Sequence, residues 1–144
     1  LLSYLNSFGT IAYLNGEDRY REFLDKNKIS TQPDLIIGEG TSQRSLELMN
    51  DWSRYWLKYN KLDLRYDKYK KLLCKEAIFL GISPSDNNAV IIDFKNSDDL
   101  GKWIKISSHF PYGGKPAMQL ENVSKYFTPI NNALRQVMNI VGHA

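Results

Sequence analysis

Residues 89–95, AVIIDFK, constrain most strongly what this chain can fold into. Ala89, Val90, Ile91 and Ile92 make an apolar run rich in β-branched side chains, which lose rotamer freedom on a helix and pack well on a pleated surface, so the run predicts a buried strand. Like AIFLGI upstream, it falls far short of the roughly 18 apolar residues needed to cross a bilayer, and no membrane span is expected. The run delivers Asp93 and Lys95, two positions apart. On a strand that spacing turns both side chains to one face, within reach of one bound phosphate and its metal ion.

A chain of 144 residues buries about two-thirds of its unfolded surface, enough for one core, and no linker, repeat or shift of composition divides it. A single globular domain over 1–144 is expected. Hydrophobic content of 42% with 24% charged residues excludes a disordered chain. The chain starts without Met and without the pattern of a signal peptide, and reads as a trimmed domain. The single cysteine, Cys74, excludes an internal disulfide, and one thiol with two histidines cannot complete a four-ligand Cys/His zinc site. A reducing, cytoplasmic compartment fits, with Cys74 as a small core residue. The net charge of +3 suits a polyanionic partner only where the basic groups share a face.

Turn and cap signals divide the chain into short elements. LLSYLNSF opens as a helix, GTIAYL is ambiguous between strand and helix, and Tyr20, Phe23 and Leu24 recur at helical spacing between Glu17 and Lys26. Leu35 to Ile37, bounded by Pro33 and Gly38, predict a short strand. From Thr41 or Ser42 to Tyr59, Leu48, Trp52, Tyr55, Trp56 and Tyr59 predict a long helix with a buried aromatic stripe. Another helix is expected from Asp67, with Tyr69, Leu72, Leu73, Ala77 and Leu80 inward, ending at Gly81. AVIIDF and KWIKIS then predict an antiparallel hairpin, and MQLENVSKYF and PINNALRQVMNIV two closing helices. The sum is an α+β domain with a small, mostly antiparallel sheet of three or four strands packed with four or five helices.

Pro33 and Asp34 before one strand, with Asp93, Phe94 and Lys95 on another, resemble the PD-(D/E)xK nuclease superfamily. The resemblance implies a Mg²⁺-dependent phosphodiesterase acting on nucleic acid, with Asp34 and Asp93 as metal ligands and Lys95 positioning the attacking water. Glu22 and Gln119 match loosely, as an acid on a preceding helix and a glutamine opening a following one. Asp34 and Asp93 lie 59 residues apart, although the family joins these strands by a short hairpin, so two helices would have to be inserted between them.

Two other constellations carry chemistry. KWIKISSHFPYGGKP gathers Lys102, Lys105 and Lys115 around His109; a histidine that titrates near neutral pH, among cations that stabilise phosphorane charge, suits metal-independent RNA cleavage. The lysines alone suit nucleic-acid binding. GGK here lacks the remainder of a P-loop. The remaining alternative is a non-enzymatic adaptor whose basic surface meets nucleic acid or an acidic protein.

Overall fold

The computed structural model describes residues 12–14, 35–38 and 43–142. The helices expected over 1–8 and from Glu17 to Lys26 lie outside them, as do Glu22, Pro33, Asp34 and His143. In chain order the elements are β1 (Ala12–Leu14), β2 (Leu35–Ile37), β3 (Arg44–Asn50), α1 (Tyr55–Tyr59), β4 (Lys61–Arg65), α2 (Tyr66–Cys74), β5 (Ile78–Ser83), β6 (Asn88–Asp93), α3 (Ser97–Leu100), β7 (Trp103–His109), β8 (Lys115–Glu121), β9 (Thr128–Pro129) and α4 (Ile130–Gly142). The architecture is α+β. One sheet runs β1-β2-β3-β5-β6-β9 and a second β4-β8-β7. Every pair is antiparallel except β3 with β5.

Alternation along the central strands assigns the two faces of the large sheet. Leu46, Ile78, Leu80 and Ala89 point to one side, where Ala133, Leu134, Val137 and Val141 of α4 cover them. Those four α4 residues recur at i, i+1, i+4 and i+8, which is why PINNALRQVMNIV folds as the expected helix. Phe79, Val90, Ile92 and Phe94 point to the other side and meet Leu62, Leu64, Trp103, Met118 and Leu120 of the small sheet, with Trp56, Tyr69 and Leu72 from α1 and α2. Fully burying each such side chain stabilises the fold by about 1.5–3 kcal/mol.

Several elements differ from the sequence expectation, each for a tertiary reason. The long helix over 41–59 is instead strand β3, a turn, and the single-turn helix α1. Residues of β3 are buried on both sides, so its sequence lacks the alternation that marks a half-exposed strand. The Asp51 carboxylate accepts the buried Trp56 N–H (2.8 Å), and Asn60 closes α1 in the left-handed region. The aromatic stripe divides accordingly: Trp56 is 5% exposed, but Trp52 71% and Tyr59 52%. Helix α2 stops at Cys74, and Ala77 and Leu80 belong to the approach to β5 and to β5 itself. Cys74 is exposed, not a core residue.

The expected β6–β7 hairpin is replaced by two others. Strand β6 pairs with β5 across the turn ending at Asn87 (φ 54°), and β7 with β8 across Gly113 and Gly114, both at positive φ. NSDDLG, read as the linking turn, is a helical turn whose first N–H groups are capped by the Asn96 side chain. MQLENVSKYF is not helical at its start: from strand β8, Met118 and Leu120 point into the core between the sheets while Gln119 points away. No helix opens at Gln119.

Candidate active site

Strands β2 and β3 form a short antiparallel pair. Leu35 aligns with Leu46, Ile36 with Ser45 and Ile37 with Arg44, so only residues 38–43 separate the strands. Immediately after Leu46 comes Glu47, on the face of β3 away from α4. Its side chain is 11% exposed, and Oε1 lies 2.8 Å from Nζ of Lys68. A carboxylate this far from solvent requires a partner, since desolvation would otherwise cost several kcal/mol. Lys68 reaches it from the first turn of α2, which begins directly after β4.

The sequence around Glu47, SLELMN, predicts helix, which hides its place on strand β3. The signal that marks it is spacing: it lies 13 residues after Asp34, and a short hairpin suits that separation as it does not suit 59. Met49, two positions on, stands where an acid-x-lysine motif would have its lysine. Lys68 brings an ammonium to the same carboxylate from a different element.

Asp93 has other partners. By alternation with Ala89 and Ile91 it sits on the α4 side of the sheet, opposite to Glu47. There its Oδ1 accepts from Arg44 Nη2 at 2.6 Å, with side chains 9% and 15% exposed. Arg44 reaches across β5 to do so and also donates through Nε and Nη2 to the Glu76 carbonyl. Asp93 Oδ1 further accepts the Lys95 N–H, while the Asp93 N–H donates to Asp99. Because β6 ends at Asp93, strand alternation does not extend to Lys95, whose exposed ammonium lies 3.9 Å from Glu76.

His109 belongs to a separate cluster on the small sheet. Its Nε2 lies 3.0 Å from Asp63 Oδ2, which also accepts from Tyr55 OH (3.3 Å), while Gln119 Nε2 donates to Oδ1 (2.9 Å). Tyr112 OH donates to the Asp63 carbonyl at 2.8 Å. Burial first, and the Asp63 charge second, hold the phenols of Tyr112 and Tyr55 above their ordinary pKa, so both remain donors. Lys102 lies 3.8 Å from Asp99 and over the Tyr126 ring, and Lys105 lies over Tyr66, at the start of the helix that carries Lys68. Lys115 is exposed and aligned with His109 across the β7–β8 hairpin.

Among the described residues no three acidic, histidine or cysteine side chains converge as a metal site, and no helix is long and apolar enough to cross a membrane. The fold is similar to that of Archaeoglobus fulgidus Hjc, a Holliday junction resolvase from an archaeal hyperthermophile, with a TM-score of 0.52 and 14% identity over 92% of this chain and 95% of that one. At 14% identity this likeness is one of fold. No family model and no curated protein matches the chain.

Proposed function

We propose that the protein is a divalent-metal-dependent nuclease whose centre is formed by Asp34, Glu47 and Lys68. The observation that carries this reading is the buried Glu47 carboxylate, paired with Lys68, on the strand antiparallel to the one that Asp34 precedes. Asp34 is one peptide bond from Leu35, and Glu47 one from Leu46, its aligned partner. The similarity to a resolvase fold supports it.

Carboxylate oxygens are the hard donors Mg²⁺ selects, and Asp34 and Glu47 would hold it. When bound, the ion supplies a water of lowered pKa and neutralises charge on the scissile phosphate. Lys68 balances Glu47 and fixes its rotamer, and its remaining N–H bonds orient the attacking water or a phosphate oxygen. Asp93 holds Arg44 across β5 and keeps the sheet in register beneath the site.

The test is cleavage of a labelled four-way DNA junction and a linear duplex by the purified chain. Mg²⁺ should support cleavage and a chelator abolish it. Asp34→Asn and Glu47→Gln should each slow it by about 100-fold or more, the rate equivalent of the several kcal/mol that a Lewis-acid metal contributes. Full activity of Glu47→Gln would overturn the assignment. A second reading, metal-independent RNA cleavage, draws on the His109–Asp63 pair. It requires RNA cleavage that persists in chelator and is lost in His109→Ala.

A further inference from the structure

Phe110 is 93% exposed, whereas Phe79 and Phe94 are wholly buried. An exposed phenylalanine forgoes about 1.5–3 kcal/mol of burial, and on a loose loop it would need no explanation. This one is on a built tip. Phe110–Tyr112 form a helical turn in which Gly113 N–H donates to the Phe110 carbonyl (2.9 Å) and Gly114 N–H to the His109 carbonyl (3.0 Å). Pro111 fixes one backbone angle within the turn, and the positive φ of Gly113 and Gly114 closes it. The residues on either side of the ring are tied to β4: His109 bonds the buried Asp63 carboxylate, and Tyr112 the Asp63 carbonyl. The cluster read from sequence as catalytic chemistry thus anchors the loop that holds Phe110 out.

The charge around the tip indicates what the ring meets. Residues 101–120 contain Lys102, Lys105, Lys115 and His109 and no acidic residue. Lys105 lies over the ring of Tyr66, which places this basic arm beside the helix that carries Lys68. At the tip itself Lys115 is aligned with His109 and the Arg65 guanidinium lies over the Tyr112 ring, and a flat apolar ring on a rigid mount beside these cations suits a polyanion that offers flat apolar faces of its own.

We infer that the β7–β8 hairpin is a nucleic-acid arm whose Phe110 stacks on an unpaired or terminal base, so that the substrate is a forked or branched strand and not a continuous duplex. A base already out of its stack offers its face freely, whereas wedging into a continuous duplex must first offset a few kcal/mol of unstacking. Because the tip is held in place, little ordering entropy opposes the contact. This rests on the nuclease reading and adds to it what the chain recognises.

The test uses fluorescence anisotropy, in chelator, with a fluorescein-labelled DNA fork and a duplex of the same length closed by loops at both ends. A 2-aminopurine at the unpaired position of the fork reports stacking. Phe110→Ala should weaken fork binding by roughly 5- to 150-fold, the equivalent of ~1–3 kcal/mol for one base–aromatic stack. It should change binding of the closed duplex by less than about twofold, and Phe110→Trp should restore fork binding and 2-aminopurine quenching. The melting temperature should not move, since the ring is buried against nothing. Equal fork affinity in wild type and Phe110→Ala, or equal loss on both probes, would overturn the inference while leaving the nuclease reading intact. If the wild type binds neither probe, both fail together.

Discussion

At the residue scale, two acids have separate tasks. Glu47 and Asp93 both sit beside a cation, but Glu47 has a lysine within 2.8 Å on one face of the sheet and Asp93 an arginine at 2.6 Å on the other. Lys68→Met keeps the stem and deletes the charge. It should lower Mg²⁺-dependent cleavage by about 10–100-fold, the usual effect of removing a group that orients a metal ligand, measured as kcat on the junction substrate. Asp93→Ala should instead cost about 3 kcal/mol in urea unfolding, because a mostly buried guanidinium is left with only a carbonyl, while the folded fraction keeps its cleavage rate. Loss of cleavage in Asp93→Ala without loss of stability would restore Asp93 to the catalytic centre. Pro-Asp before a clear apolar run makes Asp34 a candidate in the sequence. Glu47 is marked there only by its spacing from Asp34, because Leu46, Leu48 and Met49 around it are apolar and imitate a helical surface.

Among the elements, those whose local signals agree with their tertiary surroundings are the legible ones. The strands Leu35–Ile37 and Asn88–Asp93 and the helix Ile130–Gly142 fall where apolar period and boundary residues together place them. Strand β3 and strand β8 were read as helix because their inward and outward residues are not sorted by polarity: β8 turns Gln119 outward and still buries it under Asp63. The packing of β5 offers a direct check on the observed arrangement. Gly81 lies between Met49 and Val90, and a methyl group there would come within 2.9 Å of the Phe79 ring and 3.0 Å of the Trp56 ring. Gly81→Ala should destabilise by about 1–3 kcal/mol in chemical denaturation, the cost of overpacking a filled core. A neutral result would mean that α1 does not press on β5 as described.

On the scale of the whole molecule, fold class was readable and strand pairing was not, since the pairing depends on which distant runs meet. Nothing in residues 61–65 and 115–121 shows that they pair, yet their ladder builds the second sheet and with it the basic arm. Two bulk measurements follow. The phenols of Tyr55, Tyr69 and Tyr112 are held above their ordinary pKa, burial being the largest cause in each, so the folded chain keeps protons that the unfolded chain releases. Stability that is complete below about pH 10 should therefore fall as pH rises above it, and Tyr112→Phe should lessen the slope in pH-dependent unfolding. If the basic arm binds nucleic acid as proposed, association with a duplex should weaken linearly in log salt, through counterion release by Lys102, Lys105 and Lys115. The position of a bound divalent ion separates the two acids, and anomalous scattering from a crystal soaked in Mn²⁺ measures it directly. A peak within about 2.5 Å of the Glu47 carboxylate, shared with Asp34, is the expected result; a peak at Asp93, with none at Glu47, would contradict it.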